Sequence, residues 1–247
     1  MFRKLPSLDD SFSENPRSTD YPTLHQGRKR TQPHVAGQWA AHVYVDLELD
    51  PTLRKTLRNV LATVKAAPAG DRVHVSFNPD TEAGDMTLHI SLTRPLYLQT
   101  NQKADLCAAV AKVASAFKGF SARYASFGML ENDEKTRKFL AVEIGQGYQQ
   151  LKDVVRKLDD ELESMRLPRY YDSPRFHTSI AWTSVESNDD TDGPANHLFA
   201  EAQLDALEAD FGKRLRQDEL WVDELVLKIG KDVTRYRLSR SPALERA

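Results

Sequence analysis

The chain has 247 residues, of which 40% are hydrophobic and 28% are charged, and its formal net charge is -2. This composition is typical of a globular protein, and the charge argues against a protein that coats nucleic acid by electrostatics alone. A single cysteine excludes an internal disulfide and a cysteine-based metal cluster. The sequence contains no apolar run of about 18 residues, so it predicts no transmembrane helix.

Residues 1–38 are predicted to form a disordered tail, because they are rich in Ser, Pro, Asp and Arg and poor in aliphatic side chains. The tail contains a short basic cluster, Arg28-Lys29-Arg30. This cluster is compatible with a nuclear localisation signal, with an RNA contact or with solvated surface charge. The ordered domain is expected to occupy residues 39–247.

Hydrophobic periodicity predicts the elements of the domain in chain order. The first half is expected to contain a strand over 39–49, a helix over 51–66, short strands near 72–77 and 88–92, and a helix over 102–118. The second half is expected to contain strands over 121–130 and 137–144, a helix over 147–165, a strand through 176–182, a helix over 195–211 and a hairpin over 219–239.

The order of these elements predicts an α+β architecture. Helices and strands are mixed, and several successive strands lack a helical crossover, which favours antiparallel sheets with helices packed outside. A strand-helix-strand order occurs twice, and each copy leads to a histidine-containing strand. The chain is therefore expected to be bilobal, with quasi-equivalent halves and a cleft between them.

Two short segments share one pattern of an apolar residue, a histidine, a spacer, a serine and an apolar residue. They are Leu88-His89-Ile90-Ser91-Leu92 and Phe176-His177-Thr178-Ser179-Ile180. Since side chains alternate faces along a strand, each histidine shares one face with the serine two residues later. The apolar residues would then face a core, and the polar ones would face the cleft.

Paired histidines and serines of this kind suit phosphoryl transfer. One neutral imidazole can accept a proton while one imidazolium donates a proton, because the unperturbed pKa of histidine is about 6.5. Two serine hydroxyls would donate hydrogen bonds to a phosphoryl oxygen held between the rings. The candidate catalytic residues are His89, His177, Ser91 and Ser179.

The other histidines are weaker candidates. His74-Val75-Ser76 also places a serine two residues after a histidine, and spacing alone does not exclude a pairing of His74 with His177. His89 is favoured because its strand ends before a basic turn. His42 lies on the polar face of the first strand but lacks the serine. No His-x-x-x-His pair is present, so the sequence carries no zinc signature.

Other catalytic motifs are missing from the sequence. It contains neither a Gly-x-Ser-x-Gly elbow nor a Gly-x-x-x-x-Gly-Lys phosphate-binding loop. Cys107 lies in an alanine-rich segment and is expected to pack in a helix rather than to react. The pairs Asp159-Asp160 and Asp189-Asp190 are interpreted as solvated charge, not as paired catalytic carboxylates.

The sequence resembles the two-histidine (2H) phosphoesterases, whose hallmark is a pair of His-x-Ser motifs. Within them it is similar to the U6 small nuclear RNA 3′-end-processing phosphodiesterases of the Usb/Mpn type. The blocks that carry this resemblance, in order, are Trp39–Tyr44, Asn132–Leu140, Tyr171–Trp182 and Lys228–Lys231. The resemblance extends from about residue 39 to the end of the chain, and nothing in the tail contributes to it.

This resemblance implies a 2H phosphoesterase fold with two quasi-symmetric antiparallel sheets, outer helices and a central cleft. It implies a 3′-to-5′ exoribonuclease that trims the oligouridine end of U6 RNA in the nucleus, without a metal or another cofactor. The catalytic set would be His89, Ser91, His177 and Ser179. Tyr171 would stack on the terminal base; its alternative role is that of a loop aromatic packed on the sheet edge.

The implied reaction is attack of the penultimate ribose 2′-hydroxyl on its own 3′-phosphodiester. His177 is assigned as the base and His89 as the acid, although the near-symmetry of the two motifs leaves the reverse assignment open. Arg94, Lys135 and Arg175 are candidates to guide phosphates or, alternatively, surface charges. Family members leave either a 2′,3′-cyclic phosphate or a 3′-phosphate, and the sequence does not distinguish these ends.

Two other functions stay open at this point. One is a 2H phosphodiesterase that acts on small cyclic or 2′-5′-linked nucleotides and needs no stacking platform. The other is a catalytically silent RNA-binding module, against which the intact His and Ser residues of both motifs argue. The expected partner is the single-stranded 3′ end of RNA, bound by a monomer that contacts no membrane.

Overall fold

The computed structural model describes residues 35, 37–68, 70–75, 87–185 and 198–239. The described residues belong to one compact unit. Some predictions fall outside them: those for the tail over 1–34 with Arg28-Lys29-Arg30, for Ser76 and for Asp189-Asp190. Among the helices that are described, none combines the length and the apolar character that a membrane span requires.

The strands are β1 (Gln38–Glu48), β2 (His74–Val75), β3 (Thr87–Ser91), β4 (Leu96–Gln99), β5 (Phe120–Ala122), β6 (Tyr124–Glu131), β7 (Arg137–Ile144), β8 (His177–Ser184), β9 (Leu220–Val222), β10 (Glu224–Ile229) and β11 (Asp232–Arg237). The helices are α1 (Pro51–Ala66), α2 (Gln102–Ala116), α3 (Tyr148–Ser164), α4 (Glu201–Leu207) and α5 (Lys213–Leu215). A π-helical turn over Glu208–Gly212 joins α4 to α5.

Two antiparallel sheets form the frame of the molecule. Sheet 1 has the strand order β11-β10-β1-β3, and β4 also pairs with β1. Sheet 2 has the order β2-β8-β7-β6. A separate ladder joins β5 to β9. The predicted α+β class with antiparallel sheets is confirmed.

Sheet 1 is built around β1, whose residues alternate between apolar and polar side chains. The apolar side chains from Ala41 to Leu47 are buried, whereas His42, Tyr44 and Asp46 lie on the opposite face. Helix α2 packs behind β10 and β11, and α3 packs against α2. The apolar sides of these elements therefore share one core.

Helix α1 follows β1 directly, and Asp50 caps its first turn. The Asp50 side chain accepts hydrogen bonds from the backbone N–H groups of Thr52 (2.6 Å) and Leu53 (2.9 Å). This cap satisfies two N–H groups that an α-helix leaves without partners at its N-terminus. The buried stripe of the helix is Leu53, Thr56, Leu57, Val60, Leu61 and Val64.

Four local features differ from the sequence-based expectation. The hairpin expected over 219–239 contains only β10 and β11, because its first arm divides at Asp223 and β9 pairs with β5. Strand β4 was not expected, because four residues are too short for a periodic signal; it forms because β3 covers only one half of β1. The single strand expected over 121–130 divides at Arg123, since β5 leaves sheet 2 to pair with β9. The helix expected over 195–211 begins at Glu201 within the described residues and continues through a π turn to Leu215.

Phe176 is expected to carry much of the stability around the second motif. Its ring is 1% exposed and contacts the rings of Tyr148 and Tyr170, with centroid distances of 5.3 and 6.1 Å. Phe176→Ala should lower the free energy of unfolding by about 3–5 kcal/mol, because it leaves a cavity in this cluster. Urea denaturation measures this loss. Val233→Ala, at a side chain that is 49% exposed, is the control and should change it by less than about 0.5 kcal/mol.

Candidate active site

The first motif lies on β3, at the edge of sheet 1. Leu88 and Ile90 are buried, so His89 and Ser91 face away from the core. Pairing of β3 with β1 places His89 opposite Asp46 and Ser91 opposite Tyr44. These cross-strand neighbours on one face have Cβ atoms about 5 Å apart.

Two further aromatic rings surround His89 on this face. The centroid of its ring lies 5.7 Å from that of His42 and 5.4 Å from that of Tyr44, both in edge-on geometry. His42 and Tyr44 stack on one another at 5.3 Å. The sequence placed His42 on the polar face of the first strand, and the structure brings it to His89. The alternation of apolar and polar residues along β1 was the only sequence signal that placed His42 on the face of the cleft.

The second motif lies on β8 in sheet 2. His177 pairs with Glu143 of β7, and Ser179 pairs with Ala141. The residue between the motif positions, Thr178, is fully buried and donates a hydrogen bond to the Tyr124 hydroxyl at 3.1 Å. His177 and Ser179 are half-buried and share the opposite face, as predicted.

One hydrogen bond fixes the proton on the neutral His177 ring. Nδ1 of His177 lies 2.6 Å from the backbone carbonyl oxygen of Arg175. A carbonyl can only accept, so Nδ1 carries the proton and donates it. The neutral ring therefore presents an unprotonated Nε2, which is the form that a general base requires.

The two motifs meet because β3 packs beside β8. His89 and His177 are close enough that a positive charge on His177 lowers the pKa of His89. The other candidate, His74, stacks on Trp182 at 4.2 Å, roughly 15 Å along β8 from His177 given the rise of a strand. The structure thus brings His89, not His74, to His177.

Electrostatics favour neutral imidazoles in this cleft. His89 reaches solvent, yet the surrounding atoms displace enough water that desolvation lowers its pKa; the Asp46 carboxylate raises it, and the charges of His177 and Lys228 lower it. Desolvation also lowers the pKa of His177, against the hydrogen bond to the Arg175 carbonyl and the charge of Glu143. Each catalytic candidate therefore has one carboxylate that favours its protonated form.

His42 is the most strongly shifted of the three histidines. Burial, with smaller contributions from the charges of His89 and Lys228, lowers its pKa to about 4. A ring with this pKa is neutral near pH 7. His42 therefore offers a ring face and a hydrogen-bonding nitrogen to the cleft, but no charge.

Tyr171 is held in place while its ring stays accessible. Its side chain is 40% exposed, and its hydroxyl donates to Asp133 at 3.0 Å. The Arg94 guanidinium carbon lies 4.2 Å from the ring centroid, so the predicted guide residue and the predicted stacking residue are in contact. Arg94 forms no ion pair with any residue that the structure describes, whereas cation–π stacking keeps it on the ring.

The segment that carries Tyr171 is anchored by an aspartate whose role the sequence did not reveal. Asp159 is 8% exposed, and its carboxylate accepts a hydrogen bond from the Tyr170 backbone N–H at 2.8 Å. The interpretation of Asp159 as solvated charge was wrong, because a bond to a residue eleven positions later leaves no periodic signal. The other aspartate of the pair, Asp160, is exposed as expected.

The remaining two predicted guide residues differ in their surroundings. Arg175 donates from Nε to Glu143 at 3.0 Å and from Nη1 to the Met129 carbonyl at 3.4 Å, so Glu143 balances its charge. Lys135 is exposed in the turn between β6 and β7, with a positive φ of 54°. A phosphate-binding role for either residue stays a prediction.

The described residues include no group of three His, Cys, Asp or Glu side chains arranged as metal ligands. Cys107 is partly buried against the core, as expected for a packed thiol.

Residues 4–237 match the HVSL family, whose description is an uncharacterised conserved protein. The chain belongs to the HVSL family. This HVSL chain is 27% identical to U6 snRNA phosphodiesterase 1 of Neurospora crassa over 272 aligned positions, which cover 95% of this chain and 74% of that protein. It is 30% identical to the Homo sapiens U6 snRNA phosphodiesterase 1 over 185 positions, which cover 73% of this chain and 65% of the human protein.

Among solved structures, the HVSL chain is similar to Kluyveromyces marxianus Usb1 with uridine monophosphate. The TM-score is 0.61 at 18% identity, and the match covers 81% of this chain and 98% of Usb1. At this identity the likeness establishes a shared fold. The predicted resemblance to the Usb-type family is confirmed, and with it the α+β architecture.

The contribution of Asp46 to His89 is directly measurable. In Asp46→Asn the carboxylate that favours the His89 imidazolium is gone, so the pKa of His89 should fall below its wild-type value. Proton NMR of the histidine rings against pH reports this change. The His177 resonance is the internal control, because its carboxylate is Glu143. A His89 pKa that stays constant or rises would show that Asp46 does not act on this ring.

Proposed function

We propose that this protein is an RNA phosphodiesterase that removes nucleotides from the 3′ end of U6 small nuclear RNA. The observation that carries the proposal is the juxtaposition of His89 and His177, each with a serine on the same face, from two different sheets. The curated relatives named U6 snRNA phosphodiesterase 1 support the choice of substrate.

His177 is the general base in this reaction. Its Nδ1–H is bound to the Arg175 carbonyl, so Nε2 is free to take the proton of the penultimate ribose 2′-hydroxyl. The resulting alkoxide attacks the adjacent phosphorus, and the bond from phosphorus to the 5′-oxygen of the terminal nucleoside breaks. As His177 becomes an imidazolium, the Glu143 carboxylate beside it stabilises the new charge.

His89 is the general acid and protonates the departing 5′-oxygen. Desolvation lowers the pKa of His89, and its carboxylate neighbour Asp46 opposes this by favouring the imidazolium that this step consumes. Ser91 and Ser179 donate to the non-bridging oxygens as negative charge develops on them. The products are the terminal nucleoside and an RNA with a 2′,3′-cyclic phosphate. The same histidines in exchanged roles would open this ring with water to give a 3′-phosphate.

The terminal base stacks on Tyr171, whose orientation the Asp133 carboxylate fixes through its hydroxyl. Arg94 lies on the same ring and places a positive charge beside the terminal nucleotide. Arg175 and Lys135 are the further candidates for phosphate contacts. We propose that the catalytic domain occupies residues 39–247 and that the protein acts as a monomer in the nucleus.

The decisive experiment uses a 5′-labelled single-stranded RNA ending in several uridines, incubated with the protein in excess EDTA. A ladder that shortens from the 3′ end is expected. His89→Ala and His177→Ala should each lower the rate about 10²- to 10⁴-fold, because each removes one proton-transfer group. Ser91→Ala and Ser179→Ala should each cost about 10²- to 10³-fold. Denaturing gels of the time courses give these rates.

His74→Ala is the matched control, since His74 stacks on Trp182 away from the histidine pair and should keep the wild-type rate. Loss of activity in His74→Ala with full activity in His89→Ala would contradict the assignment. RNA that stays intact while 2′,3′-cyclic nucleotides are hydrolysed would instead support a small-substrate phosphodiesterase. RNA that is bound without any product would support a silent binding module.

The attacking group is tested by removing it from the substrate. An RNA whose penultimate sugar is 2′-deoxyribose should resist cleavage, because the nucleophile of the first step is missing. An RNA with 2′-deoxyribose only at the terminal position is the control and should be cleaved at the normal rate. High-resolution gels of both reactions compare the initial rates. Efficient cleavage of the first substrate would rule out transesterification and require water as the nucleophile.

A further inference from the structure

The open face of sheet 1 extends beyond His89 across β1 onto β10 and β11. Pairing of β1 with β10 places Lys228 opposite His42, and pairing of β10 with β11 places Val233 opposite Lys228. Because cross-strand partners share a face, Lys228 lies on the same side of the sheet as the His42 ring. His42 in turn contacts His89, so Lys228 is two strands from the catalytic candidate.

Lys228 differs from the other cations of this face. Arg235 is paired with Asp46 and with Glu224, and Arg237 is paired with Glu224 at 3.3 Å. Lys228 is exposed and forms no ion pair with any residue that the structure describes. A strongly hydrated ammonium without a carboxylate partner is available to bind an anion.

The charge of Lys228 acts on two histidines of the cleft, His42 and His89. Its positive charge lowers the pKa of both His42 and His89. Since Lys228 is the cross-strand neighbour of His42, and His42 contacts His89, the ammonium shares one face of the sheet with these rings and with a phosphate bound beside them. Since His42 is neutral, Lys228 supplies the positive charge at this end of the cleft.

Lys228 and Tyr171 are carried by different parts of the site. Tyr171 contacts Asp133, in the turn between two strands of sheet 2, whereas Lys228 belongs to sheet 1. An RNA with its terminal nucleoside on Tyr171 and its scissile phosphate between the histidines must continue in the 5′ direction away from Tyr171. Beside His89, sheet 1 presents the stacked rings of His42 and Tyr44 and, next to them, Lys228.

We infer that Lys228, with the ring faces of His42 and Tyr44, forms a subsite for the nucleotide portion on the 5′ side of the reacting ribose, where Lys228 binds the 5′-phosphate. This inference rests on the proposed function, because it takes RNA as the substrate. A lysine contact to phosphate carries no base information. The subsite therefore reads the length of the RNA, not its sequence.

Two dinucleotides that differ in one phosphate isolate this contact. UpU has a scissile phosphate but no phosphate on the 5′ side of the reacting ribose, and pUpU has both. The wild-type protein should cleave pUpU with a kcat/KM about fivefold above that for UpU, the scale of one exposed ionic contact. In Lys228→Gln this ratio should fall to about one. Chromatography of the released uridine gives both rates.

Lys231→Gln is the matched control, because Lys231 is an exposed lysine in the turn of the same hairpin. It should keep the wild-type ratio. With longer oligouridylates, Lys228→Gln should reduce the slope of log kcat/KM against log salt concentration by about 0.7, the value for one phosphate contact on a single strand. The Lys231→Gln slope should match that of the wild type.

Two outcomes would overturn the inference. An equal loss on UpU and pUpU would show that Lys228 acts only through the pKa values of the histidines. An unchanged ratio in Lys228→Gln would show that the 5′-phosphate binds elsewhere.

Binding of a fluorescent oligouridylate with a 2′-deoxy penultimate sugar tests the subsite without catalysis. Lys228→Gln should weaken this binding about fivefold, and Lys231→Gln should not. If no protein cleaves RNA but this difference persists, the proposed reaction fails and the subsite stands. If RNA is cleaved and the affinities are equal, the subsite fails alone.

Discussion

The antiparallel pairing of β1 with its neighbours is the constraint on which the site depends. Because side chains alternate along each strand, a single register places the apolar residues from Ala41 to Leu47 of β1, with Leu88 and Ile90 of β3, in the core and leaves their polar neighbours on the open face. A slip of one residue would bury His89 and expose Ile90. The burial of the aliphatic residues thus holds the catalytic candidates at the surface of the cleft.

The same alternation of side chains in sheet 2 positions His177, but different groups contact its ring. His177 is oriented by a backbone carbonyl, whereas His89 is enclosed by the rings of His42 and Tyr44. Each also faces one carboxylate across its strand pair, Glu143 or Asp46. The two halves therefore have equivalent positions but unequal surroundings, which is what a pair of groups with separate acid and base roles requires.

Charge on the walls of the cleft is largely compensated within the protein. Arg175 is balanced by Glu143, and Arg235 by Asp46 and Glu224. Against this background Arg94 and Lys228 stand out, because neither forms an ion pair within the described part of the chain. One lies on Tyr171 and the other beside His42, and we place them at the two ends of the RNA path.

The sequence by itself determined the period-two strands, the amphipathic helices and the two His-x-Ser motifs, because these signals are local. It also predicted that His89 and Ser91 share a face. Only the tertiary structure decided that His89, not His74, meets His177, since that choice depends on which strands pack together. The same holds for three further features that join residues far apart in the chain: the hydrogen bond from Tyr170 to Asp159, the contact of the His42 ring with His89, and the position of Lys228 opposite His42. Contacts of this kind leave no periodic trace in the sequence, because they depend on the register between strands and on the packing of separate elements.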